Sequence, residues 1–259
     1  MIISGKSFYL ELNFRRILGA LLNKFLYAIL RVLDILRYMP VRLTRLAEHF
    51  AQGIKVLNVD KVQPQSTGKA LIRISNWWLE FFMMILDCLG FSELYETLFD
   101  FIKINTRGLQ DWEKELAVQI FGNSINYSRV RLDEYAIAGP KQKKICYVSF
   151  YLINSWGRMQ NSLLLHELMH VWQYQKLGIV YIPRALKAQF IEEGYNYGGE
   201  EYLRRVKNAN RGLEAFNLEQ QAEIVSDYYL IRNGYQPRWG NGTLADLPVY
   251  EYFIAQLRT

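Results

Sequence analysis

The sequence predicts a predominantly helical α+β chain in two parts, a helical N-terminal region at residues 1–106 and a domain with a small sheet at residues 107–259. Apolar residues recur at helical spacing through most of the first part, which indicates amphipathic helices. The second part adds a segment rich in β-branched and aromatic residues, which favours a strand between helices. A chain of 259 residues is long enough to bury a proper core.

The first predicted helix covers residues 14–38, where the polar stripe is narrow and the other positions are apolar. Pro40 is expected to end this helix or to start the next turn. The stretch at 53–68 contains Pro, Ser, Thr and Gly and predicts a loop. The helical pattern resumes at about residue 70 and continues, with a break near Gly90, to about residue 104.

A helix with such a broad apolar face either packs inside the protein or lies on a membrane surface. Packing is favoured, because a second apolar segment at 71–89 is available to cover it. The alternative is a peripheral contact with an anionic membrane through basic residues of the first helix. These residues are Arg15, Arg16, Lys24, Arg31 and Arg37.

The formal net charge is +6, but no block of consecutive Lys and Arg is long enough to form a basic arm. We therefore expect no nucleic-acid partner. The sequence has no convincing secretory signal and no uncharged apolar run of about 18 residues. The expected location is cytoplasmic, with peripheral membrane association or export by a non-classical route as alternatives. No pattern in the sequence sets an oligomeric state.

The second part of the chain carries the candidate chemistry. The two cysteines, Cys88 and Cys146, are not in a CxxC pair, which excludes a cysteine zinc site. Glycine stops and β-rich composition delimit the expected elements. These are a helix at 111–121, a short strand around 130–135, a strand at 144–153 and a helix at 162–176.

The last of these helices contains an HExxH motif, in which His166 and His170 flank Glu167. Positions i and i+4 lie on one face of a helix, so both imidazoles can bind one metal ion. Glu167 lies beside the first ligand, where it can accept a proton from a metal-bound water. Zinc is the expected ion, because it lowers the pKa of such a water to about 7.

Two of the three histidines in the chain form this motif, which favours a metal site over a pair of core histidines on an amphipathic helix. The third, His49, lies far upstream and is expected to be structural or exposed. A catalytic zinc needs a third protein ligand and one open position. No histidine follows His170, so the third ligand is expected to be a carboxylate.

A predicted helix at 216–228 carries candidate carboxylates in two registers one turn apart. Glu219 begins the sequence E-Q-Q-A-E, and Glu223 begins the sequence E-I-V-S-D. The two glutamates cannot both bind the metal in the same way. The spacing from His170 does not decide between them.

The HExxH motif followed by a glutamate on a second helix resembles the gluzincin group of zinc peptidases, whose second helix has the pattern E-x-x-[AS]-D. The segments H-E-L-M-H-V-W-Q and F-N-L-E-Q-Q-A are similar to those of small bacterial zincins associated with contractile injection systems. The resemblance covers roughly residues 108–229 and implies a zincin-like metallopeptidase domain. The implied zinc ligands are His166, His170 and Glu219, with Glu223 as the alternative, and Glu223 or Asp227 would steady a ligand histidine.

The resemblance also implies that the strand at 144–153 is an edge strand that aligns an extended substrate. Tyr195 and Tyr197 precede the second helix, and each can either donate a hydrogen bond to an oxyanion or belong to the core. The predicted function is a zinc metallopeptidase acting on a peptide or protein substrate, with Glu167 as general base. The alternative function is a zinc-stabilised binding or targeting module with little or no turnover.

Overall fold

The computed structural model describes residues 5–59, 67–103, 105–143, 145–190 and 194–258. The chain divides into two compact units, Met1–Ile104 and Asn105–Thr259, here called the N-terminal unit and the C-terminal unit. The sequence had placed the boundary two residues later, after residue 106. Predominantly helical α+β structure is confirmed, since helices dominate the described residues and one small sheet accompanies them.

In its described residues, the N-terminal unit contains three helices, α1 (Gly5–Val59), α2 (Thr67–Cys88) and α3 (Phe91–Ile102). Helix α1 packs against both α2 and α3. Gly90 lies between α2 and α3 with a φ of 73°, and a Cβ there would collide with the Ile35 side chain of α1. Because only glycine fits both the left-handed backbone and this close approach, the turn between the two helices is set at this residue.

The predicted end of the first helix at Pro40 is wrong, because α1 continues through this proline to Val59. Proline removes one backbone hydrogen bond and costs about 3 kcal/mol inside a helix. Contacts on both sides of it offset that cost. Arg31, before the proline, and Arg42, after it, both form ion pairs with carboxylates of α3.

The predicted loop at 53–68 is also wrong over its first part, since residues up to Val59 are helical. Gly53 serves a helix contact instead of a turn, because a Cβ at this position would lie 2.6 Å from the indole of Trp77 in α2. Residues 60–66 of the expected loop lie outside the described part of the chain. Thr67 already begins the next helix.

The C-terminal unit contains six longer helices and three strands in its described part. The helices are α4 (Asp111–Phe121), α5 (Asn161–Leu177), α6 (Tyr181–Gln189), α7 (Gly199–Asn208), α8 (Leu218–Arg232) and α9 (Leu247–Ile254). The strands are β1 (Arg131–Asp133), β2 (Tyr147–Ser149) and β3 (Leu152–Asn154). They form one sheet in the order β1-β3-β2, with β1 and β3 parallel and β2 and β3 antiparallel.

The single strand predicted at 144–153 is a hairpin, β2 and β3, and its first residue, Lys144, lies outside the described residues. The chain reverses at Phe150, a buried residue with a φ of 62°. Its ring packs against Tyr174 of α5, with centroids 5.1 Å apart. Positive φ is costly for an aromatic residue, so tertiary packing and not turn chemistry makes this reversal. For that reason the sequence contains no turn signal there.

Helices α5 and α8 form the centre of the C-terminal unit and make its most extensive helix–helix contact. Leu165, Leu168 and Met169 of α5 and Ala222 and Val225 of α8 are fully buried. Both helices also carry buried polar side chains. The apolar contact between the helices holds these polar residues in fixed positions.

A capping box determines where α8 begins. The side chain of Asn217 accepts a hydrogen bond from the Gln220 backbone N–H at 2.9 Å, and the Gln220 side chain accepts one from the Asn217 backbone N–H at 3.1 Å. This exchange satisfies two backbone donors at the helix start. It places Glu219 in the first turn of α8.

No single described helix has the length and apolar character needed to cross a membrane. The apolar segments 71–88 and 91–102 pass such a test of length and composition only when they are taken together, and they meet at 65°.

Replacing the capping residue tests the role of this box. We expect Asn217→Ala to lower the free energy of unfolding of the C-terminal unit by about 1 kcal/mol, because the backbone N–H of Gln220 loses its acceptor. Urea unfolding followed by tryptophan fluorescence measures the change. Asn241→Ala, at an exposed position outside the helices, is the control and should change the midpoint little; equal losses in both variants would contradict the capping role.

Candidate metal site

Helix α5 presents three polar side chains to the interior of the C-terminal unit. His166, Glu167 and His170 are only 7%, 3% and 4% exposed. The two histidines are one turn apart, and their Nε2 atoms lie 3.2 Å from each other. The i, i+4 spacing thus directs both imidazoles at one point, as the sequence predicted.

Helix α8 brings Glu219 to the same point. Its Oε2 atom lies 3.3 Å from Nε2 of His170 and 3.5 Å from Nε2 of His166. One ligand atom from each of these three residues lies within 4.8 Å of the others, and all three residues are buried. This group can hold a metal ion.

The hydrogen bonds around the group fit a cation better than an ordinary polar core. Oε2 of Glu219 is buried and accepts no hydrogen bond, whereas its Oε1 accepts one from the Gln189 side chain at 2.8 Å. A buried carboxylate oxygen without a partner costs free energy. A cation between this oxygen and the two imidazole nitrogens would remove that cost, and nitrogen and carboxylate donors are a common set for zinc.

Electrostatics in the group point the same way. Burial lowers the pKa of His166, which favours the neutral imidazole that a metal requires. Although burial opposes it, Glu219 raises the pKa of His170 to about 9. Burial would raise the pKa of Glu219, but the two histidines hold it well below its usual range. The Glu219 carboxylate thus favours positive charge at this point, which a bound metal ion would supply.

Glu167 is placed for a different task. Burial raises the pKa of its carboxyl to about 7, and its Oε2 atom is buried without a hydrogen-bond partner. The residue lines the same cavity as the histidines. A carboxylate with a pKa near neutrality is suited to accept and return a proton.

Two glutamines that sequence reasoning did not single out hold the ligands in place. Nδ1 of His170 lies 2.8 Å from Oε1 of Gln173, and Gln173 Nε2 donates to the backbone carbonyl of Leu218 at 2.9 Å. Gln189 donates a hydrogen bond from its side-chain amide to Oε1 of Glu219. Gln173 was within reach of the sequence, since it follows His170 by three positions on the same helix.

Glu223 lies one turn beyond Glu219 and outside the metal group. Its Oε1 atom is 3.5 Å from Nδ1 of His166 and 3.0 Å from the guanidinium of Arg238. Burial raises the pKa of Glu223 to about 7 even though Arg238 lowers it. In the structure, Glu219, the first residue of E-Q-Q-A-E, is therefore the carboxylate that joins the two histidines, while Glu223 contacts the ring of His166 from outside the group.

Asp227 and Tyr197 belong to a separate buried network. Asp227 accepts hydrogen bonds from the backbone N–H groups of Arg238 and Trp239 and from the hydroxyl of Tyr197. The Tyr197 hydroxyl is also 2.7 Å from that of Tyr250. Asp227 thus orients the segment that carries Arg238, and no described contact joins it to a histidine. Of the two roles that the sequence left open for Tyr197, the contacts favour the core, because its hydroxyl bonds to Asp227 and Tyr250.

Tyr195, the other candidate donor, does reach the site. It lines the cavity, and its ring lies 6.2 Å from that of His166. Burial raises the pKa of its hydroxyl to about 12, so the phenol stays protonated. Tyr181, which the sequence did not indicate, also lines the cavity, with its ring 5.6 Å from that of His170.

A cavity of about 580 Å³ opens onto the metal group. Strand β2 forms one wall of it, α6 forms another, and Glu167 and the metal group lie at its base. This volume falls in the range of sites that bind small molecules or peptide side chains.

Comparison with known proteins shows a similarity to a secretion-system protein. Over 153 residues, the chain is 29% identical to the type VI secretion system spike protein VgrG2b of Pseudomonas aeruginosa. The aligned part is 54% of this chain but 14% of that protein, so the chain spans a small share of the relative. No family model and no solved structure matches the chain. The chain therefore resembles part of a secretion-system protein.

Removing single carboxylates tests the geometry of the group. With Zn²⁺ as the probe ion, we expect about one ion per wild-type chain and loss of most of it in Glu219→Gln, because one of three ligands is gone. Glu223→Gln should keep the ion but bind it on the order of 10-fold more weakly, since Glu223 contacts the ring of the ligand His166 and does not belong to the metal group. Mass spectrometry of the metal content measures both.

Circular dichroism of both variants is the control for folding. Loss of the ion chiefly in Glu223→Gln would identify Glu223, and not Glu219, as the third ligand. A wild-type chain that binds no zinc when supplied with it would contradict a metal site.

Proposed function

We propose that the C-terminal unit is a zinc-dependent metallopeptidase of the zincin type, with Glu167 as general base. The observation that carries the proposal is the buried group of His166, His170 and Glu219 at the base of a cavity. Glu167 lies in the same cavity with an unpaired oxygen. A metal-binding group and a carboxylate base in one pocket support hydrolysis better than a structural site, which is normally closed by four protein ligands.

Zinc is the metal that we propose for the group. Two imidazoles and one carboxylate form the ligand set of zinc hydrolases. When bound, zinc would supply Lewis acidity, polarising a carbonyl and lowering the pKa of water. The residues that would hold it are His166, His170 and Glu219, with Gln173 and Gln189 orienting two of them.

In the proposed reaction, Glu167 takes a proton from the water that attacks the scissile carbonyl. The same carboxyl then gives that proton to the nitrogen of the leaving amine as the C–N bond breaks, which returns Glu167 to its ionised form. Burial raises the pKa of Glu167 to about 7, and a group with such a pKa can carry out both steps near neutral pH.

Tyr195 is the proposed donor to the oxyanion. Its hydroxyl is protonated at neutral pH, and its ring lies in the cavity beside His166. Arg238 lies over the Tyr195 ring, with its guanidinium carbon 5.9 Å from the ring centroid. This contact and burial limit the motion of the ring, as a preorganised donor requires.

Strand β2 is the proposed site for the peptide backbone. It is one of the two end strands of the described sheet, and its residues line the cavity. An extended peptide can add to such a strand through main-chain hydrogen bonds, while its side chains enter pockets at alternate positions. The proposed substrate is therefore a peptide or an extended segment of a protein.

The relative suggests a route out of the cell. Its name places VgrG2b in a type VI secretion system, and we extend to this chain only the proposal that it is exported by a dedicated secretion apparatus. The aligned part is too small a share of the relative to transfer the activity or partners of the whole protein.

A second candidate is a zinc-stabilised binding module without turnover. The observation that favours it is the position of the metal group between α5 and α8, the two helices that form the centre of the unit. A metal ion there would also join the two halves of the core. A metal-binding chain that cleaves no peptide would agree with this candidate.

The general base can be tested without disturbing the metal. We expect Glu167→Gln to lower kcat on a peptide library roughly 10²- to 10⁴-fold, because the proton acceptor is lost. Zinc content should remain that of wild type. Glu201→Gln, on the exposed surface of α7, is the matched control. Full activity in Glu167→Gln would end the proposed mechanism, and inactivity of the zinc-loaded wild type would favour the binding module.

The two tyrosines provide a second, paired test. Tyr195→Phe should lower kcat on the order of 10²-fold with little change in melting temperature, because it removes one donor to the oxyanion. Tyr197→Phe should do the reverse, lowering the melting temperature while leaving kcat near wild type, since its hydroxyl bonds to Asp227 and Tyr250 in the core. Melting curves and kinetics on the same preparations separate the two effects. The same kcat loss in both variants would refute the assignment.

A further inference from the structure

The N-terminal unit has the polarity of its interior and exterior reversed. Among its described side chains, the buried non-glycine residues are all polar or charged. They are Arg31, Arg42, His49, Asp87, Ser92, Glu93, Glu96 and Asp100. Soluble proteins bury apolar side chains and leave charged ones in water, so this unit departs from the usual arrangement.

Helix α1 shows the reversal along its length. Its buried residues Arg31, Arg42 and His49 are separated by 11 and 7 positions, spacings that place them on one face. From residue 22 to residue 36, the exposed side chains that the structure describes are all large and apolar. They are Leu22, Phe25, Leu26, Ile29, Leu30, Val32, Leu33 and Leu36.

Helices α2 and α3 repeat the pattern. In α2, Glu80 and Asp87 are seven positions apart and both face α1. The exposed large residues of α2 are Leu71, Ile72, Ile74, Trp78, Leu79 and Phe82. In α3, the buried carboxylates alternate with exposed Phe91, Leu94, Leu98, Phe101 and Ile102. In residues 22–36 of α1, and along α2 and α3, the charged side chains that the structure describes are therefore buried or partly buried, while most exposed side chains are apolar.

The inward charges are paired with each other. Arg31 binds Glu96 at 3.2 Å and also Asp100, while Arg42 binds Glu93 and lies 3.4 Å from Asp87. His49 lies 3.9 Å from Glu80 across the α1–α2 contact. These ion pairs, which join α1 to the other two helices, take the place of an apolar core.

We propose that the N-terminal unit inserts into the hydrocarbon of a lipid bilayer, with its ion pairs inside the helix cluster and its apolar faces against acyl chains. In water this arrangement is doubly unfavourable, because charges are desolvated and hydrocarbon is exposed. In lipid the apolar faces are satisfied. Charged side chains in a membrane characteristically face the interior of a helix bundle and pair with one another.

A bilayer fits the distribution of apolar residues better than a second protein does. A protein partner covers one patch, whereas here all three helices carry exposed large apolar side chains, in α1 chiefly between residues 22 and 36. A surrounding apolar solvent contacts all of them at once. The exposed cation nearest to this part of α1 is Arg37, one residue beyond Leu36, and a long arginine side chain can reach lipid headgroups from the edge of the hydrocarbon.

Helix length and charge also agree. With a rise of 1.5 Å per residue, the 22 residues of α2 extend about 33 Å, close to the roughly 30 Å of a bilayer core. This helix is interrupted by Arg73, Glu80 and Asp87, so its composition alone does not indicate a span. Glu80 and Asp87 are directed at α1 and not outward, so they do not oppose contact with lipid.

The proposal differs from the surface contact that the sequence suggested. Of the basic residues expected to bind anionic headgroups, Arg31 is buried in ion pairs, and Lys24 donates to the backbone carbonyl of Asp100. The side chains of Arg15 and Arg16 lie outside the described part of the chain. Binding is therefore expected to depend on hydrocarbon and not on anionic lipid. It is independent of the metal site.

Flotation of the full chain with phosphatidylcholine vesicles is the test. We expect the protein to float with these uncharged vesicles and to remain bound in roughly 0.5 M salt, which screens surface electrostatics. The triple variant Ile29→Glu, Leu33→Glu and Leu36→Glu should lose at least 10-fold in binding. The matched control is Leu244→Glu in the C-terminal unit, whose leucine is 60% exposed, compared with 54% for Leu33 and 68% for Leu36.

The depth of insertion into the bilayer is measured on a separate variant, so that this test does not require the triple variant to fold. Ile29→Cys in a background with Cys88→Ser and Cys146→Ser is labelled with a fluorophore, and quenching by lipids brominated on their acyl chains should exceed quenching from the headgroup. Binding only to anionic vesicles, reversed by salt, would overturn insertion in favour of surface contact. Absence of flotation together with a stable dimer in sedimentation velocity would overturn it in favour of a second copy of the chain.

Discussion

The C-terminal unit depends on one buried interaction, the approach of the Glu219 carboxylate to the two imidazoles of α5. Three polar groups at this distance inside an apolar core are costly unless their geometry is held closely. The packing of α5 against α8 provides that geometry, and Gln173 adds a bond to the backbone of Leu218 at the start of α8. The capping box at Asn217 then determines which residue of α8 faces the histidines.

The part of the site that lies on one helix could be predicted from the sequence, because helical geometry alone places His166 and His170 on one face. The part that lies on two helices could not. Glu219, Glu223 and Asp227 follow each other at intervals of four, so they share a face of α8 and periodicity does not distinguish them. The choice rests on which turn of α8 lies opposite His170, a tertiary contact that no local pattern encodes.

Because local sequence patterns do not encode tertiary contacts, the helices could be predicted from the sequence but the way in which they pack could not. The helices of the N-terminal unit were expected from the helical spacing of their apolar residues. This spacing shows that one face of a helix is apolar and the other polar, but it does not show which face is buried. The expectation that apolar faces pack together follows from assuming water as the solvent. Pro40 and Phe150 depart from local rules for a related reason, since ion pairs and aromatic packing override the preference of the single residue.

The two units bury charge in opposite ways, and the difference bears on what each requires. In the N-terminal unit, Arg31 and Arg42 lie among four carboxylates, with Lys24 and Arg45 nearby, so cations and anions approach balance within the cluster. Such a cluster needs no further ion and is compatible with an apolar solvent. In the C-terminal unit, Glu167, Glu219 and Glu223 meet one arginine, Arg238, and two imidazoles. Burial has pushed the pKa of two of these carboxyls up to about 7. That cluster has an excess of acceptors, and a divalent cation is the group that would balance it.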